Sequence, residues 1–296
     1  MESAAFGILN IDKPAGMTSH DVVNIVRRGT GVRRVGHTGT LDPMATGVLV
    51  VCVGQATRLS EYLVDATKHY LARVRLGVET DTYDAEGDVV AERPVSVTRE
   101  EVEAALERFR GESKQIPPMY SAVKHQGTPL YRLAHAGQEV EREPRWIMVE
   151  TLCLLAWDPP EFTLDIVCSA GTYVRTLVHD LGQALGTGAH LSGLRRLASG
   201  SFRVDDATTL DTLGEAFAAG TWTDYLLPAD DALAHFPAVH LARDAADRLA
   251  HGHDVSAPPD ATGLARAYGA DGRFMAIVQA DLGAGVWRPI KVFHQN

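Results

Sequence analysis

Three glycines, a histidine and an Asp-Pro pair are packed into Gly36-His37-Thr38-Gly39-Thr40-Leu41-Asp42-Pro43-Met44-Ala45-Thr46-Gly47-Val48-Leu49, which runs into the apolar stretch Val48 to Val53. Glycine at this density lets a backbone turn through positive φ or approach a ligand closely. Pro43 biases Asp42 toward an extended conformation. The outcome is a stiffly posed carboxylate in surroundings too apolar for an ordinary solvated turn. Two readings are open on the residues alone. Asp42 either caps its own turn or is presented for chemistry.

The chain has 296 residues, 45% of them hydrophobic and 22% charged, enough for a sizeable core and two domains. No apolar run approaches the length of a bilayer span, so no membrane association is expected. The start, Met1-Glu2-Ser3-Ala4-Ala5-Phe6, lacks the basic-then-apolar pattern of a secretory signal. Cys52, Cys153 and Cys168 lie far apart in apolar, strand-like runs and have no metal-ligand spacing. They are expected to be buried free thiols in a reducing cytoplasm. Net charge is −10, which by itself argues against a nucleic-acid partner. The distribution weakens that argument: residues 1–78 carry +3 and 108–203 carry +2, whereas 79–107 carry −8 and 204–296 carry −7. A surface that follows phosphates needs to be basic only where it touches them.

Gly7 to Asp12 reads as a strand, stopped by Lys13-Pro14-Ala15-Gly16. Thr18 or Ser19 then caps a helix whose apolar face is Val22, Val23, Ile25 and Val26. A second helix is expected over about 56–66. In His69 to Leu76 the residues Tyr70, Ala72, Val74 and Leu76 share one face of a strand, and Arg73 and Arg75 the other. Tyr70 on that apolar face reads as core, with a hydroxyl that needs a partner. An acidic loop follows, Glu79 to Glu92. Thr98 and Glu101 form a capping box for a helix carrying Val102, Ala105, Leu106 and Phe109. Residues 112–145 are a polar excursion with a short helical piece at Leu130 to Ala136, and an excursion of this length is functional or mobile. Strands at Trp146 to Trp157 and Phe162 to Cys168 lead to a helix from Thr172 to about Leu185. Arg175 near its start faces the unfavourable end of the helix dipole, which points to an acidic partner. Residues 204–234 read as a link, and 235–296 as a small β-rich unit with Phe274 to Val278 its clearest strand.

Five blocks in order, Gly7 to Gly16, Gly36 to Leu49, Lys68-His69-Tyr70, Ile116 to Lys124, and Gly171 to Asp180 continuing to Leu194-Arg195-Arg196-Leu197, together resemble the TruB family of tRNA pseudouridine synthases. The resemblance implies a mixed α/β (α+β) fold. A pseudouridine synthase catalytic domain over about 1–230 would have a central, mainly antiparallel sheet and a thumb-like insertion at about 112–145. A small PUA-like domain over 235–296 would follow. It implies isomerisation of uridine 55 in the T-loop of tRNA, with the base flipped out and no cofactor or metal. Asp42 matches the family's catalytic aspartate, and Tyr70 the tyrosine that stacks on the flipped uracil. Arg175 matches the arginine that pairs with the carboxylate and keeps it ionised. Tyr173 and Leu194 match residues lining the uracil pocket, and His37 the residue that braces the flipped loop. Lys13 is read as stiffening its turn, with phosphate contact the other possibility. His20 stands where the family often has another small polar residue. A monomer acting on the tRNA T-stem-loop in the cytoplasm is the resulting expectation. The rivals are an RNA-guided enzyme of the same superfamily and a protein that binds and refolds tRNA without modifying it.

Overall fold

The computed structural model describes residues 5–293, so the Met1 to Ala4 part of the expected signal-free start lies outside the described residues. A ten-stranded sheet forms the centre. Along its main path the strands are Thr208–Thr209, Phe6–Lys13, Thr46–Gly54, Ala189–Ser199, Lys68–Leu76, Glu161–Cys168, Arg145–Asp158 and Gly111–Gln115. All pairings are antiparallel except Phe6–Lys13 with Thr208–Thr209 and Ala189–Ser199 with Thr46–Gly54. The expected mixed fold with a mainly antiparallel central sheet is therefore what the chain adopts.

The strands Phe6–Lys13 and Thr46–Gly54 are apolar almost throughout because both their faces are covered. Leu9, Ile11, Leu49 and Val51 pack with Val22, Val23 and Val26 of the helix Ser19–Thr30 and with Val178 and Leu181 of the helix Val174–Ala184. Ile8, Val48, Val50 and Cys52 point the other way. They meet Leu59 and Leu63, Leu233 from the end of the link and, from the C-terminal unit, Phe274, Ile277 and Phe293. That unit is a five-stranded sheet with the helix Arg243–Ala250, and Phe6 stacks against its Phe274 and Phe293, which also touch each other.

Local signals act as their chemistry dictates. Thr18 caps its helix reciprocally with Asp21, and Thr98 does so with Glu101. Tyr70, Ala72, Val74 and Leu76 are buried, while Arg73 and Arg75 face solvent and meet Glu161. Four expectations need correction. The helix at 56–66 is a 3-10 turn, Gln55–Leu59, followed by a short α-helix, Ser60–Val64. The acidic loop is a hairpin, Val78–Thr80 with Val89–Glu92. The link at 204–234 contains the helix Leu210–Ala219, whose Leu213 and Ala216 are buried. Cys52 and Cys168 are buried, and burial pushes their thiols up to about 12 and about 11, but Cys153 is exposed. The polar excursion begins with an edge strand, Gly111–Gln115. Beyond it come the small hairpin Lys124–His125/Thr128–Pro129 and the helix Leu130–His135.

Candidate active site

The Gly36–Gly47 loop lies across the ends of the central strands and is fastened from three directions. Lys13 is fully enclosed, and its ammonium donates to the carbonyls of Pro14 at 2.8 Å, Met17 at 2.6 Å and Pro43 at 3.2 Å. Ser19 accepts from the Leu41 amide at 2.8 Å and donates to the Leu41 carbonyl at 3.0 Å. Arg196, 2% exposed, donates from Nε to the Val48 carbonyl at 2.7 Å and from Nη2 to the Gly39 carbonyl at 3.1 Å. Gly47 has φ +97°, and a Cβ there would stand 2.2 Å from the Arg196 carbonyl oxygen, so only glycine fits. Of Lys13's two readings, these bonds give it the structural one.

Held this way, the Asp42 carboxylate meets the Arg175 guanidinium through two contacts, Nε–Oδ2 at 3.0 Å and Nη2–Oδ1 at 3.1 Å. This is the paired geometry that a planar fork and a carboxylate favour. Arg175 is 5% exposed. Nη2 also reaches the Tyr120 carbonyl at 2.8 Å, and Nη1 reaches the Thr82 carbonyl and Asp84 Oδ2, each at 3.2 Å. Two carboxylates thus meet the guanidinium of an arginine in the first turn of the helix Val174–Ala184. They are the acidic partners that a positive charge near a helix start calls for.

Burial raises the Asp42 carboxyl above its ordinary value, Arg175 pulls it down, and Asp84 adds to the rise. The guanidinium therefore limits the rise rather than reversing it, a weaker hold on the ionised form than the sequence suggests. Burial also raises the Tyr70 phenol, with Arg196 acting against it. It lowers His37 below the usual histidine range, so that ring tends to neutrality, and its Nδ1 has no hydrogen-bond partner among the described residues. Lys13 and Lys68 are both lowered to about 8 by burial.

Asp42, Tyr70, Arg175, His37, Tyr173 and Leu194 all line one cavity of about 770 Å³, together with His20, Lys68, Tyr120 and Arg196. The six residues singled out from the sequence are thus brought together. Tyr173 is seated by its backbone: its amide donates to Gln115 Oε1 at 2.8 Å, and Gln115 Nε2 donates back to its carbonyl at 3.1 Å. Two contributors, Asp84 and Gln115, escape the sequence reading, and Arg196 stands in it only as part of the Leu194-Arg195-Arg196-Leu197 block, without a role. The signal for Asp84 is the unpaired positive charge at a helix start, which one partner does not exhaust. Among the described residues no group of His, Cys, Asp and Glu is arranged to hold a metal ion, and no helix is long and apolar enough to cross a membrane.

The family described as TruB family pseudouridylate synthase (N terminal domain) matches residues 27–174. The tRNA pseudouridylate synthase B C-terminal domain matches 175–234, and the tRNA pseudouridine synthase II C-terminal domain matches 236–294. The chain belongs to the TruB family. Among TruB relatives, "tRNA pseudouridine synthase B" of Pseudomonas aeruginosa (strain UCBPP-PA14) is 48% identical over 275 residues, 92% of this chain and 90% of that one. The protein of the same name from Thiobacillus denitrificans (strain ATCC 25259 / T1) is 48% identical over 280 residues, 95% and 94% of the two chains. Among solved structures, a chain of a Cbf5-Nop10-Gar1 complex superposes on this TruB member with a TM-score of 0.75 at 29% identity, covering 98% of this chain and 86% of that one. A chain of an H/ACA RNP bound to a substrate RNA containing 2'-deoxyuridine gives 0.74 at 26% identity, covering 98% and 85%.

Proposed function

We propose that this protein converts uridine 55 in the T-loop of tRNA to pseudouridine, acting as a cytoplasmic monomer without a guide RNA. The observation that carries the reading is the Asp42–Arg175 pair facing Tyr70 across one cavity. The relatives named for tRNA stand at 48% identity, and the chains of the Cbf5-Nop10-Gar1 complex and the H/ACA RNP at 29% and 26%, which favours tRNA as substrate.

The reaction is an isomerisation. The bond from ribose carbon-1′ to uracil nitrogen-1 breaks, the base turns, and a bond from carbon-1′ to carbon-5 forms. Carbon-5 loses its proton and nitrogen-1 gains one, so no electrons are exchanged with an outside partner. Asp42 supplies the carboxylate that assists departure of the base, whether by bonding covalently or by stabilising charge. Arg175 poses it. Tyr70 stacks on the extruded uracil, and its oxygen relays the carbon-5 proton. Tyr173 and Leu194 bound the pocket. His37 braces the loop from which the base has left, since extrusion costs a few kcal/mol of stacking. The segment at about 112–145 is the thumb that closes over the RNA.

Purified protein, with chelator present, is expected to release tritium from tRNA labelled at uracil carbon-5, in step with pseudouridine at position 55. Asp42→Asn keeps the shape and removes the charge; it should abolish release while tRNA binding stays near the parent level. Turnover by Asp42→Asn at the parent rate would overturn the assignment. Binding and refolding of tRNA by the parent with no release would put the non-catalytic reading in its place.

A further inference from the structure

Tyr83 has a left-handed backbone, with φ at +65°. For a bulky side chain this is a true outlier, and it persists only where the surroundings impose it. The Tyr83 ring lies flat on the imidazole of His179, with ring centres 3.9 Å apart and planes 16° from parallel. His179 follows Arg175 by one turn on the helix Val174–Ala184, so both side chains leave the same face.

The neighbours of Tyr83 are the groups that hold Arg175. On one side the Thr82 carbonyl accepts from Nη1, and on the other Asp84 Oδ2 faces the same nitrogen. The other Asp84 oxygen is fixed by the Thr82 hydroxyl at 2.6 Å and the Glu86 amide at 3.0 Å. The turn is also sewn to the strand Ala189–Ser199. Leu191 donates its amide to the Tyr83 carbonyl and accepts from the Ala85 amide, both at 3.0 Å. His179 Nδ1 is buried without a hydrogen-bond partner among the described residues. At this position the ring contributes its face rather than that nitrogen.

We propose that the Tyr83–His179 stack is a positioning clamp for Arg175. It presses the 82–84 turn onto the helix, so that the Thr82 carbonyl and the Asp84 carboxylate fix the plane in which the guanidinium meets Asp42. Neither ring has a place in the chemistry; they act through the turn. The inference rests on the reading of Asp42 and Arg175 as parts of the reaction centre.

Three variants and two readouts test it. Tyr83→Asn accepts the left-handed backbone but has no ring. His179→Ala removes the other half of the stack, and Tyr83→Phe restores the ring without the hydroxyl. Tyr83→Asn and His179→Ala should each lower kcat about tenfold with KM for tRNA nearly unchanged, since a small misplacement at a reaction centre costs rate more than binding. The double variant should lose no more than either single one, because both break the same stack. Tyr83→Phe should recover the parent kcat. The Arg175 Nε–H resonance, followed by nuclear magnetic resonance in the protein without RNA, should broaden in Tyr83→Asn and stay sharp in Tyr83→Phe. An unchanged kcat and resonance in Tyr83→Asn would overturn the clamp. So would a loss that follows the unfolding midpoint while the resonance stays put, or a Tyr83→Phe as damaged as Tyr83→Asn. A parent that makes no pseudouridine would defeat the functional reading instead, and the resonance would still decide the clamp.

Discussion

Lys13 donates to the Pro43 carbonyl at 3.2 Å, which ties the first strand to the residue after Asp42. All three hydrogen bonds of this enclosed ammonium go to backbone carbonyls, and among the described residues no carboxylate pairs with it. Lys13→Met keeps the packed stem and leaves those carbonyls without their donor. Urea unfolding should show a loss of about 2–4 kcal/mol, because orphaned buried acceptors cost more than the relief of burying a charge returns. The rate per folded molecule should also fall, since Pro43 carries Asp42. Equal midpoints for variant and parent would mean that the burial cost of the charge cancels its bonds.

A second expectation concerns pH. Burial holds the Asp42 carboxyl above its ordinary value, and Arg175 opposes that rise. The proposed reaction uses the ionised form, so kcat/KM should decline as pH falls through this raised value rather than at the value of a free aspartate. In Arg175→Gln the opposing charge is gone and the carboxyl rises further. The acid limb should then move to higher pH while the plateau drops. Profiles of kcat/KM from about pH 5 to about pH 9 report the free enzyme's groups and decide this. A limb displaced to lower pH would contradict the sign.

The contrast between Arg175 and Asp84 shows where sequence reading reaches its end. Helix starts, capping boxes and the alternation from Tyr70 to Leu76 are legible because the residues that decide them are neighbours in the chain. The Asp42 loop is legible because proline and glycine restrict backbone shape wherever they stand. Asp84 looks like one more solvated acid in a strongly negative stretch, and only folding brings Arg175 to it. Cys153 misleads for a different reason. Its strand is irregular at Val149/Thr151 and Leu154/Ala156, and each irregularity resets which face a residue takes. The helix Leu210–Ala219 mixes Asp, Thr, Gly and Glu among its apolar residues, and its burial against the first helix, where Phe217 fills the space beside Gly29, supplies what its pattern lacks.

Two glycines should separate conformational cost from steric exclusion. Gly16 has φ +83° with open space where a Cβ would go, whereas at Gly47 the Cβ would collide with the Arg196 backbone. Gly16→Ala should cost about 1 kcal/mol of stability from its backbone angle alone. Gly47→Ala should cost about 3 kcal/mol or more, because the paired strand must move. It should also lower the rate of the folded fraction, since Arg196 holds the catalytic loop. Equal midpoints for the two variants would show that the strand yields easily and that the loop is less firmly held than its bonds imply.

The last expectation concerns how a chain of net charge −10 holds RNA. Arg33 and Arg34 are exposed, and they line a surface cavity of about 290 Å³ whose wall includes His37. His37 also lines the Asp42 cavity, so these arginines continue the cleft along a basic path. His37 tends to neutrality through burial, so charge along this path comes from the arginines. If tRNA phosphates follow it, affinity should fall linearly with salt on logarithmic axes as counterions are released. Replacing both arginines with Gln should weaken binding and lower the slope by roughly 2, about one for each phosphate no longer neutralised. The rate at saturating tRNA should barely change, because neither side chain faces Asp42. His37→Ala should behave oppositely, with the salt slope intact and the rate reduced but not abolished, because it destabilises the flipped loop rather than a phosphate contact. A parent affinity indifferent to salt would remove the electrostatic account. A parent slope with both arginines gone would place the phosphate contacts elsewhere, on the thumb.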